Sequence, residues 1–253
     1  MRLKNCAAAI HSEQDRNGSR EQARRHEPIN QKEGKEKKNM AKLITKKEQS
    51  ISWKELAEGV KAGEIALQQG DTVELKLTTG EIVFMQAVKV SEDGKRVTFV
   101  SKDCLATEMP MNEETTNYGG WAESDLRRRL NTEVFNTLPE DLKEVIATTK
   151  RRQYVDGKIV ECEDKLWIPS EYEIHGREIF AEHVEGEEQF ELYKDRRNRM
   201  KKVGNDGEDT DWYWCDSPYA SNTTAFCHVD YNGYAGNYCY ASTALAVPLC
   251  FEI

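Results

Sequence analysis

Long apolar runs are missing from this chain of 253 residues. Nothing approaches the roughly 20 consecutive apolar residues that cross a bilayer, so no membrane span is expected. The first 22 residues, MRLKNCAAAIHSEQDRNGSREQ, hold a short apolar patch but not the apolar core of about 7–15 residues that marks a signal peptide. Secretion by that route is therefore not expected, and the product is expected in the cytoplasm as synthesised. A surplus of base is missing too: the net charge of −9 argues against a general nucleic-acid binder, which needs a basic face. Seven cysteines stand at 6, 104, 162, 215, 227, 239 and 250 without one C-x-x-C pair, and their spacing fits no zinc module. The acidic stretch at 206–211 does not follow the calcium-loop pattern and reads as a turn. No metal and no cofactor is expected. The even step of 12 residues between Cys215, Cys227 and Cys239 reads as strand spacing, with mostly free thiols in a reducing compartment.

The sharpest absence is local. Residues 215–251, CDSPYASNTTAFCHVDYNGYAGNYCYASTALAVPLCF, are 37 in a row without Lys, Arg, Glu, Gln, Met or Trp. What is left is chiefly Tyr, Asn, Ser, Ala, Thr, Asp, Gly and Cys. Tyr gives stiff amphipathic contact area and Ser, Asn and Gly give adaptable hydrogen bonds, the chemistry of an antibody-like surface. Every residue in the stretch can be written with a codon ending in a pyrimidine, whereas Lys, Glu, Gln, Met and Trp cannot. Adenine-directed mutagenesis of Asn codons would yield this set. A turn-rich sheet that avoids long charged side chains is the plainer alternative.

Taken in order, residues 1–50 read as a disordered leader, with 1–39 especially polar, or as partly untranslated sequence ahead of a start at Met40. Residues 51–253 read as a single domain. Ser52 with Glu55 makes a capping box for a helix carrying Leu56, Val60 and Ile65 and ending near Gly70. The period then becomes two: strands at 72–77, 82–90 and 96–100 form a meander. A capped helix is expected within 117–136 and another from Pro139 to about Thr148, with Pro in its first turn. A hairpin is expected around Asp156-Gly157. A short buried strand at 165–170 should hand over to a helix with Glu171 and Glu173. Residues 182–210 read as a polar insertion whose basic run at 196–202 is a solvated face. Short strands follow Trp212, with a hairpin turn at Asp230-Tyr231-Asn232-Gly233 and an apolar closing strand at 245–251 whose Pro248 marks an edge or bulge.

Five pieces stand in a telling order: WAESDLRRRLN at 121–131, LWIPSE at 166–171, WYWCDSP at 212–218, Val229 to Gly233, and 246–253. Their order resembles bacterial and phage domains with a C-type-lectin-like fold related to the formylglycine-generating enzymes, over about residues 70–253. Cys215-Asp216 stands where that pattern has Leu-Arg, and Ala246-Val247-Pro248 where it has Val-Arg-Pro. The resemblance implies an α+β, C-type-lectin-like architecture, with an N-terminal β-meander, two or more helices and a C-terminal short-stranded sheet. Similar domains include the variable proteins of diversity-generating retroelements and phage receptor-binding proteins.

These readings converge on a non-catalytic binding module. Trp212, Trp214, Val229, Gly233, Gly236 and the closing strand would hold the fold. Tyr219, Asn222, Thr223, His228, Asp230, Tyr231, Asn232, Tyr234, Asn237, Tyr238 and Tyr240 would face a cell-surface protein or carbohydrate ligand. A tyrosine can instead pack in the sheet with only its hydroxyl wet. The resemblance leaves as the alternative a phage or prophage tail structural protein of fixed specificity, carried on a phage virion, and, as partner states, a homo-oligomer or a phage tail assembly. A Cys-dependent oxidase finds little support, since His228 and Cys227 would alternate across one strand. His175 and His183 could meet on a helix, for which a solvated face is the plain reading.

Overall fold

The computed structural model describes residues 51–253; the expected leader at 1–50, Met40 and Cys6 lie outside them. Helix α1 (Trp53–Ala62) starts on the expected capping box: Ser52 Oγ accepts from Glu55 N–H, and the Glu55 carboxylate accepts from Ser52 N–H at 2.9 Å. It ends earlier than the sequence suggests. Gly63, at φ 73°, takes the left-handed C-cap conformation that glycine adopts without strain. Strands β1 (Thr72–Lys76), β2 (Ile82–Val90) and β3 (Val97–Ser101) pair antiparallel as the expected meander.

Helices α2 (Gly120–Glu123) and α3 (Asp125–Arg129) run into a π-helical turn at Leu130–Val134, where one capped helix was expected. Ser124 caps α3 by accepting from Arg127 N–H at 3.1 Å. The motif around these helices is a structural clamp. Trp121 Nε1 and Arg127 Nε both donate to buried Asp164, at 2.9 and 2.7 Å. Asn131, aimed by the π-turn, takes Lys165 N–H and Leu166 N–H on Oδ1 and gives Nδ2 to Leu166 O at 2.7 Å. Pro139 stands at the N-cap of α4 (Glu140–Val145), one place ahead of the expected position, and that helix stops short of Thr148.

Strands β4 (Thr149–Val155) and β5 (Lys158–Asp164) form the expected hairpin, with Asp156 and Gly157 both at positive φ, 50° and 71°. The strand expected at 165–170 shrinks to a bridge between Trp167 and Cys250. A second capping box, Ser170 with Glu173, opens α5 (Glu171–His175), and Gly176 closes it. His183 therefore shares no helix with His175; it pairs with Glu178 at 2.7 Å and stacks on Tyr172.

Residues 182–210 carry 3₁₀ turns at Glu191–Lys194 and Arg196–Arg199, then β6 (Lys201–Lys202) and β7 (Thr210–Asp211). The segment is more than a polar insertion, because Val184, Phe190 and Tyr193 are buried. Its basic run is a solvated face only in part: Arg197 is exposed, but the far end turns inward. Lys201 is 1% exposed; its ammonium donates to Ser101 O and Lys102 O and lies near the rings of Tyr193 and Tyr213. Arg199 Nε donates to Tyr193 O at 2.6 Å.

Strands β8 (Tyr213–Pro218), β9 (Ala225–Val229) and β10 (Ala235–Tyr240) form one sheet, ordered β10-β9-β8, and each carries one of the evenly spaced cysteines. The apolar tail at 245–249 is buried, but only β11 (Cys250–Glu252) pairs as a strand, beside β3, giving the order β1-β2-β3-β11. Trp53 on α1 meets Phe99 and Phe251 edge-on across that sheet. Buried residues from Trp53 to Ile253 make one contiguous core. The architecture is α+β, with meander, helices and a C-terminal short-stranded sheet.

Candidate functional site

Strand β9 is buried along its whole length, while β10 is an edge strand, so the hairpin they form offers its outer rim and its turn to solvent. The turn is fixed by its own side chain. Asp230 Oδ1 accepts from Asn232 N–H and Tyr234 N–H, both at 2.9 Å, and Gly233 takes φ 79°. A Cβ on Gly233 would lie 2.7 Å from Arg196 O. Arg196 in turn donates to Asn232 O and places its guanidinium 4.7 Å from the Tyr234 ring.

The loop between β8 and β9 is held from below. Asn117 Nδ2 donates to Tyr219 O, Asn222 O and Ala225 O, and Asn117 N–H to Thr223 O at 2.8 Å. Asn222 Oδ1 accepts from Thr224 N–H and Oγ1. The Glu171 carboxylate accepts from the N–H groups of Ile179, Phe180 and Ala181 and so sets Phe180 in place. Phe180 stacks on Tyr219 at 5.2 Å, and the Tyr219 hydroxyl donates to Asn237 Oδ1 at 3.3 Å.

Of the residues expected on the face, Thr223, Tyr231, Tyr234, Asn237 and Tyr240 are exposed, and the three tyrosines are 52%, 55% and 39% exposed. Tyr219, Asn222, Asp230 and Asn232 are half-buried and shape loops and turn. Tyr238 lies on β10. His228 is a correction: it is 3% exposed, with its ring against Trp212 and over Gly236. It lies opposite Trp214 on one side and Gly236 on the other, so the sheet encloses it. Burial drives its pKa down to about 4, which keeps the imidazole neutral.

Two neighbours escaped the sequence reading. Tyr118, 77% exposed, follows the Asn117 that pins the β8–β9 loop. Thr115 Oγ1 and Ser242 Oγ, 2.6 Å apart, join its loop to the end of β10. The Asn-Tyr-Gly-Gly string was the available signal, but it reads as a helix lead-in.

Strands β4 and β8 and helix α5 share a buried ionic group. Arg151 meets Glu173 through two hydrogen bonds, at 2.7 and 2.8 Å, and also reaches Asp216 at 2.8 Å. The position where the resembled motif has arginine thus carries the acid, and β4 supplies the guanidinium. With one cation between two carboxylates, burial raises Asp216 to about 7. Burial also pushes the Cys215 and Cys227 thiols well above their ordinary range, and Cys162 to about 12. Thiols held protonated are poor nucleophiles. None of the six described cysteines forms a disulfide.

Among the described residues no cluster of three or more His, Cys, Asp or Glu is placed to hold a metal ion, and no helix is long and apolar enough to cross a membrane. No curated protein and no solved structure matches the chain. A family model does match, over residues 95–253, from the approach to β3 through the tyrosine-bearing hairpin to the C-terminal residue. The chain belongs to the family of that model, DUF6273, a domain of unknown function.

Proposed function

We propose that the protein is a non-catalytic binding module that recognises a cell-surface protein or glycan through the β9–β10 hairpin and the loops beside it. The observation that carries this reading is the concentration of exposed Tyr231, Tyr234 and Tyr240 on a hairpin whose backbone is already pinned. Tyrosines on a preorganised support lose little freedom on binding, which is how such a surface gains affinity. The protonated, buried cysteines and the enclosed His228 support a role without covalent chemistry. A lectin-like scaffold diversified by a retroelement accounts for the missing Lys, Glu, Gln, Met and Trp codons in 215–251.

The test is binding of the labelled full chain to intact bacterial cells and to a glycan array, with Y231S/Y234S/Y240S beside the parent. Loss of a saturable signal in the folded triple variant supports the reading. A parent that binds neither, or a variant that binds equally well, refutes it.

A further inference from the structure

A cleft of about 70 Å³ opens between the tip of the β4–β5 hairpin and the loop that joins β8 to β9. Gly120 lets the two come together: a Cβ there would lie 2.6 Å from Val155 Cγ2, and Val155 and Pro218 both line the cleft. Tyr154 and Tyr219 stand in its wall, both half-buried, and Phe180 holds the Tyr219 ring by stacking on it at 5.2 Å. The wall carries two carboxylates, Asp156 and Glu182, and no Lys, Arg or His. Both carboxylates are exposed, and neither enters an ion pair or accepts a hydrogen bond among the described residues. Asn117, 8% exposed, lies in the same wall. Its Nδ2 donates to three carbonyls, while its Oδ1 accepts from nothing among the described residues.

These groups share one requirement. Carboxylates, an amide oxygen and tyrosine faces are all electron-rich, and nothing in the wall balances them. The same charges turn an anion away. A calcium ion needs about six to eight oxygens, and no three ligating side chains are placed for a metal among the described residues. The volume lies far below the roughly 300 Å³ at which small-ligand sites begin, so it suits one side-chain head group and not a sugar ring. The geometry points to a pocket for the guanidinium of an arginine on a protein partner. Its plane lies on a tyrosine ring, and its N–H groups donate to Asp156, Glu182 and Asn117 Oδ1. A guanidinium is flat, weakly hydrated and rich in donors, which fits rings and spread acceptors better than an ammonium does. The chain already uses that pairing where Arg196 lies 4.7 Å over Tyr234, and its net charge of −9 draws a cationic partner from a distance. Exposed Thr223 belongs both to this cleft and to the tyrosine face. The inference thus rests on the reading of that face and narrows it: the ligand is a protein that presents arginine, not a glycan.

The isotope-labelled full chain is titrated, with amide NMR as the readout, with N-acetyl-arginine amide and with N-acetyl-citrulline amide, its uncharged analogue of equal shape. Arginine should shift the amides of Asp156, Gly157, Ala220 and Thr223 and bind about five-fold or more tighter than citrulline. D156N/E182Q should erase that preference. Both side chains are exposed, and Asn tolerates the positive φ of Asp156 as Asp does, so the fold is kept. On intact bacterial cells the same variant should bind about five-fold more weakly than the parent. Trypsin treatment of the cells should abolish the parent's binding, and periodate oxidation of their glycans should spare it. Y231S/Y234S/Y240S should take arginine as the parent does, which keeps the two readings apart: a parent that binds no cell overturns the tyrosine face, and the titration still decides the pocket. No preference for arginine over citrulline, shifts away from these amides, or a preference that survives D156N/E182Q overturns the pocket. Cell binding that survives trypsin, or that D156N/E182Q leaves unchanged, overturns the arginine-bearing partner.

Discussion

The imidazole of His228 fills the space that a side chain on Gly236 would occupy across the β9–β10 pairing. A Cβ there overlaps the ring, and Trp212 packs against the same imidazole at 5.1 Å between centroids. Gly236→Ala should therefore destabilise the fold by about 1–3 kcal/mol, as overpacking of a tight site does. Urea unfolding measures it. His228→Ala in the same chain should recover part of the loss, because the methyl then has room; equal losses in single and double variants would show that the backbone, not the ring, is the obstacle.

Arg151 holds Glu173 and Asp216 together in a buried setting, with its side chain only 11% exposed. Arg151→Met leaves two carboxylates without their cation and should cost about 3–5 kcal/mol. Asp216→Asn should cost far less near neutral pH, since Asp216 sits at about 7 and the amide imitates its protonated form. Thermal melts of the two variants compare them directly, and the expected order is Arg151→Met well below Asp216→Asn.

Acid and base act on this fold in opposite senses. His228 titrates at about 4 and His175 at about 3, against about 6.5 for an exposed histidine. Below pH 6.5 the unfolded chain takes up protons that the folded chain refuses, so the histidine contribution is full above that pH and falls as acid is added. Asp216 runs the other way: its contribution is full below about 3.8 and is lost as the pH rises through about 7. Between pH 7 and 4.5 the parent should lose more stability than His228→Gln by on the order of 2 kcal/mol. Over the same range Asp216→Asn should lose more than the parent, having no compensating gain. Chemical unfolding at both pH values resolves the three slopes.

Local chemistry made much of the fold legible. Ser52-Glu55 and Ser170-Glu173 announce their helices because a capping box is written within four residues. Asp156-Gly157 announces its hairpin because both positions need positive φ. What stayed hidden depends on partners far along the chain. Lys201 reads as solvated until Ser101 and Lys102 supply its carbonyls, and Asp216 reads as a lost arginine until Arg151 arrives from β4. His228 shares the composition of its exposed neighbours, and only its register against Trp214 and Gly236 turns it inward. The cleft beside Tyr219 draws on Asn117, the β4–β5 turn and the β8–β9 loop, which no single window of sequence joins.

Burial sets where residues 215–251 can vary. Strand β9 is buried throughout, as are Tyr213 to Pro218 on β8 and the tail at 245–251, so substitutions there meet the core. Thr223, Tyr231, Tyr234, Asn237 and Tyr240 meet solvent, and changes at such positions usually stay within about 0.5 kcal/mol. If adenine-directed diversification operates, sequencing codons 215–251 from many isolates should show substitutions at adenines concentrated in these five positions. His228 and Asp230, which serve the fold, should stay fixed although their codons lie among the variable ones. Each exposed tyrosine acting as an anchor should weaken ligand binding by about 2 kcal/mol when cut to serine, roughly 30-fold. Variation spread evenly over buried and exposed codons would reject the display surface, since a core could not absorb it. A hairpin identical in every isolate would reject diversification and leave a receptor of fixed specificity.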